Sequence, residues 1–175
     1  EVWTNPNTGD TVVDQELLYT GFVMEKYLDL TRAPFERSAT SAQSDQDMVH
    51  LRYADVLLMY AEAQNEAGGP DASVYAALDQ VRARADVNMP PVDQGKYNSQ
   101  ALLREFIRNE RRVELACEGH RYFDLKRWRI AEETLDGFEV PGGGQMVFRP
   151  ENYLLPFPQM EIDRNPKLEQ NDGYN

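Results

Sequence analysis

The chain has 175 residues, 41% of them hydrophobic, and carries 18 basic against 30 acidic side chains, for a formal net charge of −12. That length supports one sizeable core, no stretch reaches the roughly 20 consecutive apolar residues of a membrane-crossing helix, and so acidic a chain excludes nucleic-acid binding, which rests on phosphate contacts from a basic face. The single cysteine, Cys117, excludes an internal disulfide.

Residues 1–40 hold Pro6, Gly9, Gly21 and Pro34 between short apolar runs. Leu17-Leu18-Tyr19 and Gly21-Phe22-Val23-Met24 read as extended chain, Glu25-Lys26-Tyr27 as a strand or turn, and no long helix fits here. The polar run 38–47 reads as a loop in which Ser44 or Asp45 can cap the next helix. That helix, Val49 to Ala67, is strong and apolar over most of its circumference, with Asp55, Glu62 and Glu66 as a narrow polar stripe. Gly68-Gly69-Pro70 ends it. Asp71 or Ser73 caps a second helix to about Ala85, with Val74, Leu78, Val81 and Ala85 on one stripe. Helix, short turn and helix within about 35 residues is an antiparallel hairpin of tetratricopeptide-like size, with no second copy in this chain.

A loop over 86–99, carrying Pro90-Pro91 and Gly95, precedes a long helix from about Ser99 to Glu118, which Gly119 breaks. Residues 121–136 read as another helix, anchored by Trp128. Turns at Gly137 and Gly142-Gly143-Gly144 flank short, paired segments at Phe138–Val140 and Met146–Phe148. The tail has Pro150, Pro156, Pro158 and Pro166, which forbid a long helix, and leaves room for one helical turn at Gln159–Asp163. The expected fold class is therefore mainly α: a tetratricopeptide-like hairpin plus further helices, long ordered loops and a few short strands.

The charges concentrate around the third helix, where residues 104–129 carry eight Arg/Lys and five Asp/Glu. At about 100° per residue, Leu102, Leu103, Phe106, Ile107, Val113 and Cys117 share one arc, and Glu110 and Glu114 fall inside it. Arg104, Arg108, Arg111 and Arg112 fall outside. Carboxylates on an apolar stripe are costly unless partnered. Arginines from other segments are therefore expected as partners, with Arg52, Arg82, Arg121 and Arg127 as the candidates. The result is either an active site or an internal ionic clamp. Glu110, Glu114 and Glu118, spaced by four, could supply the two carboxylates of glycoside hydrolysis, but such a pair normally comes from different elements facing a cleft. Cys117 on the apolar arc reads as a small hydrophobe rather than a nucleophile. With His50 and His120 the only histidines and no cysteine pair, no zinc site is expected, and a loop-bound calcium stays open. Gly142-Gly143-Gly144 has no Lys-Ser/Thr after it and is not a phosphate loop.

Four stretches in order carry a resemblance. They are Leu51-Arg52-Tyr53-Ala54-Asp55-Val56-Leu57-Leu58-Met59-Tyr60-Ala61-Glu62-Ala63, then Leu78-Asp79-Gln80-Val81-Arg82-Ala83-Arg84-Ala85. Glu110-Arg111-Arg112-Val113-Glu114-Leu115 comes third, running on to Glu118-Gly119-His120-Arg121-Tyr122-Phe123-Asp124-Leu125-Lys126-Arg127-Trp128. The last is Leu154-Leu155-Pro156-Phe157-Pro158-Gln159-Met160-Glu161-Ile162 with Asn165-Pro166-Lys167-Leu168 and Gln170-Asn171-Asp172-Gly173-Tyr174. Together they resemble the C-terminal part of a SusD/RagB-family protein, with motifs within 49–175 and less than half of the family's fold present. The resemblance implies an outer-membrane lipoprotein of Bacteroidetes, exposed on the extracellular face. Such a protein binds nutrients, usually oligosaccharides, over a SusC-like TonB-dependent transporter, without cofactor or catalysis. Its lipid anchor and first helical hairpins would lie outside this chain. It departs from the family pattern at Asp55, where Glu is commoner, and at Asp172, where Pro is.

On that reading the dense charges of 110–128 are framework: an ionic clamp of Arg52, Arg82, Glu110, Glu114, Arg121 and Arg127. The expected ligand contacts are aromatics in loop-like stretches, Trp3, Tyr97 and Phe138, able to stack on sugar rings. Trp128 is assigned to the core. The alternative role is a structural module that docks the transporter while the ligand site lies elsewhere in the polypeptide.

Overall fold

The structure is a computed structural model that describes the backbone of residues 2–4 and 11–13, Lys26, and residues 49–85, 87–141 and 143–174. The segments expected to be extended at 17–19 and 21–24, the loop at 38–47 and the caps at Ser44 and Asp45 lie outside the described residues; Lys26 sits in a turn. Two compact units emerge, one of Asp45–Arg121 and one of Glu1–Ser44 with Tyr122–Asn175.

In the first unit, three helices make the core. Helix α1 (Tyr53–Gly68) starts four residues later than its apolar pattern predicts, because Arg52 is extended and its side chain is used elsewhere. Helix α2 (Ala72–Arg82) starts at Asp71, whose Oδ1 accepts from the Ser73 and Val74 amides at 2.7 and 3.0 Å. Two orphan donors of the first turn are thereby satisfied. Helix α3 (Gln100–Glu114) is capped by Ser99, whose hydroxyl accepts from Leu102 N at 3.4 Å. Leu58, Ala61, Val74, Leu78, Val81, Leu103, Ile107 and Leu115 are buried together between these helices. Each fully buried Leu or Ile is worth about 1.5–3 kcal/mol of transfer free energy, so this antiparallel hairpin with α3 laid against it has its own core.

The loop from 87 to 99 is ordered by side chains of the helices it crosses. Arg82 Nε donates to Pro90 O at 2.7 Å, Val92 N to Asp79 Oδ1 at 2.7 Å, and Tyr75 hydroxyl to Tyr97 O at 2.7 Å. Val92 is buried in the core.

Further helix boundaries depart from expectation, α2 ending at Arg82 rather than about Ala85. Helix α3 stops at Glu114 rather than Glu118, and Cys117 takes a φ of +64°. A left-handed residue ends helical hydrogen bonding. The single helix expected over 121–136 is two, α4 (His120–Arg127) and α5 (Ala131–Leu135), separated where Arg129 has φ +58°.

In the second unit, β1 (Val2–Thr4) and β2 (Thr11–Val13) form an antiparallel pair with Trp3 opposite Val12. Their β-branched and aromatic composition suits a strand, so Trp3 stands in a strand and not in the loop expected for it. Leu125, Ala131 and Phe148 form a small core with Tyr153 packed against it, the Phe148 and Tyr153 rings meeting edge to face. The segment 138–140 is paired as expected, but with 144–146 rather than 146–148: Met146 N donates to Phe138 O at 2.8 Å and Val140 N to Gly144 O at 2.9 Å. A 3₁₀ turn at Pro150–Tyr153 and α6 (Gln159–Arg164) complete the regular elements among the described residues. The tail is held by amide side chains acting as strand partners. Gln170 Oε1 accepts from Phe157 N at 2.8 Å, its Nε2 donates to Phe157 O at 3.0 Å, and Asn171 Nδ2 donates to Leu155 O at 2.6 Å.

Candidate functional site

The predicted apolar arc of α3 is buried only in part: Leu103 and Ile107 are in the core and Phe106 packs against it. Leu102, Val113 and Cys117 are exposed, while Leu103, Ile107 and Arg111 are the buried row. The helix is rotated so that Arg111, predicted to face outward, enters the core. Asp55 of α1 meets it: Arg111 Nη1 donates to Asp55 Oδ1 at 2.9 Å, with both side chains 4% exposed, and Glu62 lies 3.8 Å from Arg111 Nε. The polar stripe of α1 is therefore turned toward α3, buried at Asp55 and open to solvent at Glu66, which binds Arg104. The Asp55–Arg111 pairing offsets the cost of the rotation, since an unpartnered buried guanidinium is strongly disfavoured.

Along the neighbouring edge of α3 the glutamates meet arginines from two directions. Arg52, just before α1, donates from Nη1 to Glu114 Oε1 at 2.5 Å and from Nη2 to Glu114 O at 2.6 Å. Its Nε and Nη2 also reach Glu118, at 2.8 Å each for the shortest contacts. One planar guanidinium thus grips two carboxylates and a carbonyl left open where α3 ends, the fork geometry for which Arg has no substitute. A cation there also complements the helix dipole. The hydrogen bond to Glu118 is the chief influence holding the Arg52 guanidinium well above its ordinary value. From the end of α2, Arg82 binds Glu110 and Arg84 binds Glu114. Arg82 also stacks over Phe106, 5.4 Å from the ring centroid.

Glu110 differs from its neighbours. Burial raises its carboxyl above the usual range, and the charge of Arg82 offsets this only in part. Desolvation outweighing attraction is the expected balance for a covered ion pair.

Of the predicted partners, Arg52 and Arg82 are thus on the glutamates of α3. Arg121 is half-buried at the start of α4 and is partnered. Arg127 Nε donates to Asp124 Oδ1 at 2.8 Å, and its guanidinium stacks over Trp128 at 4.7 Å. The predicted clamp lacks Arg84, Asp55, Arg111 and Glu118, and Glu62 beside Arg111. Arg111 had a signal, lying four and eight residues beyond Ile107 and Leu103 on one helical row, matched by an aspartate on an otherwise apolar helix.

The three aromatic candidates fall in different settings. Phe138 is 54% exposed at the foot of the 138–146 hairpin. Tyr97 is half-buried against the core, its ring 4.4 Å from that of Phe106, with Lys96 Nζ 5.0 Å from its centroid. For Trp3 the backbone alone is described, in β1. Trp128, assigned to the core, is half-buried under Arg127.

Among the described residues, no group of three or more His, Cys, Asp or Glu side chains could hold a metal ion, and no helix is long and apolar enough to cross a membrane. On the covered side of α3, Glu110 and Glu114 are each held by an arginine, whereas Glu105, paired with Arg108, is open to solvent.

Comparison with known proteins gives a consistent result. A model of the SusD family matches residues 1–174. The SusD-like protein P2 of Formosa agariphila is 34% identical over 141 residues, covering 75% of this chain and 27% of its own. The crystal structure of a SusD-like protein from Bacteroides fragilis superposes with a TM-score of 0.62 at 33% identity, covering 73% of this chain and 26% of its own. A laminarin-binding SusD-like protein superposes with a TM-score of 0.53 at 38% identity, covering 71% of this chain and 22% of its own. The chain spans about a quarter of the length of the curated relatives it matches.

Proposed function

The chain belongs to the SusD family, and from that premise we propose that it serves a cell-surface protein that captures oligosaccharides without breaking them. In this reading the polypeptide is a lipoprotein on the extracellular face of the outer membrane. It acts with a SusC-like TonB-dependent transporter, and its lipid anchor and first helical hairpins lie outside this chain. These 175 residues supply the C-terminal part of one SusD-like domain. The observation that carries the proposal is the 38% identity and shared helical framework with a relative that binds laminarin.

The charged residues of α3 take the role of an internal clamp. Arg52 fixes the start of α1 to the end of α3, Arg82 and Arg84 fix the end of α2, and Asp55 with Arg111 fixes the middle. Ligand contact from this chain falls to Phe138, the aromatic candidate whose ring is described and mostly open. Non-covalent capture by ring stacking needs an apolar face on a firmly held backbone, and the hairpin hydrogen bonds provide the hold. Tyr97 offers less ring, since Phe106 and Lys96 occupy its surroundings.

The test is calorimetric titration of soluble oligosaccharides, laminarin fragments first, into the intact protein and its Phe138→Ala variant. Saturable binding of at least one glycan is expected, weakened roughly two- to ten-fold by the substitution, the worth of one ring contact. No binding across the panel overturns the proposal. Because the chain spans about a quarter of its relatives, a second role fits too: a module that docks the transporter while ligand is held elsewhere in the polypeptide. Binding that Phe138→Ala leaves untouched favours that role.

A further inference from the structure

We draw no further inference here: the strongest candidate, the exposed apolar face of α1 formed by Val56, Met59 and Tyr60, carries nothing because nothing in the structure shows what covers it.

Discussion

Replacing Asp55 by Ala is the sharpest test of the packing between α1 and α3. Asp55 and Arg111 meet at 2.9 Å with 4% of each side chain exposed. Removing the carboxylate takes a 2.9 Å acceptor from a guanidinium in the core, while the Glu62 carboxylate stays 3.8 Å from its Nε. Breaking a buried pair from one side costs about 3–5 kcal/mol, because the surviving charge loses compensation that water cannot replace there. For a chain of this size each kcal/mol moves the melting temperature by about 2–4 °C, so Asp55→Ala is expected to lower it by roughly 6–20 °C. Thermal unfolding followed by far-UV circular dichroism reads this directly. Asp55→Asn keeps an acceptor for Arg111 Nη1 and is expected to lose about half as much. A double-mutant cycle with Arg111→Met isolates the contact: once Arg111 is gone, removing Asp55 should cost little more. A melting temperature that falls by less than about 2 °C in Asp55→Ala would refute the argument that this pair holds the rotation of α3.

Glu114→Ala takes one carboxylate from Arg52, which keeps Glu118, and one from Arg84, and is expected to destabilise the fold by about 1.5–3 kcal/mol, the range for charge-assisted hydrogen bonds; an unchanged denaturation midpoint would contradict the clamp. Glu110→Gln should behave in the opposite sense. Its folded pKa is raised by burial, so Glu110 contributes stability that is full below the ordinary glutamate value and is lost as pH rises through the folded value. The Gln variant should therefore melt no lower than wild type at pH 7, with any advantage gone at pH 4; a marked loss at pH 7 would show that attraction to Arg82 dominates. Asp71 runs the other way, its carboxyl held down to about 2, chiefly by the Ser73 side chain and then by the Val74 amide. The stability it adds is present above the ordinary aspartate value and disappears as pH falls toward about 2. Asp71→Ala should speed amide exchange at Ser73 and Val74, and equal exchange rates would remove it as the cap. Gly173 has φ +87°, and a Cβ there would lie 2.5 Å from Glu151 Cβ. Gly173→Ala should loosen the 170–174 segment and raise proteolysis near it; an unaltered digestion pattern would be inconsistent with that close approach.

How much of the fold is legible in the sequence depends on how local each signal is. The α1–α2 hairpin was legible because Gly69 and Pro70 punctuate two apolar runs and Asp71 announces the next helix. The turn at Gln159 was legible because prolines bracket it. The end of α3 was not, since Cys117 adopts a left-handed conformation that its residue type does not advertise. The same holds for Arg129, which splits the expected last helix. The rotation of α3 misled for a different reason. A wheel weights Leu102 and Val113 as core and Arg111 as surface, whereas the decision lies with a carboxylate 56 residues away in sequence. Tertiary pairing of charges has no period, so no pattern within one helix reveals it. The glutamate partners Arg52 and Arg82 were reachable because carboxylates on an apolar stripe demand cations, a requirement of solvation rather than of spacing. Arg84 was missed although it stands two residues from Arg82, because two residues along a helix point to different faces. It lies beyond the end of α2, where that rule lapses.

The central claim is that the glutamates of α3 hold helices together and do no chemistry. The measurement that reaches it most directly is release of reducing ends from a glycan that the intact protein binds, monitored over hours. The clamp predicts bound glycan recovered at its original length, in wild type and in Glu110→Gln alike. Chain shortening that Glu110→Gln abolishes in a folded protein would contradict it, and would return Glu110 and Glu114 to the role of a catalytic pair.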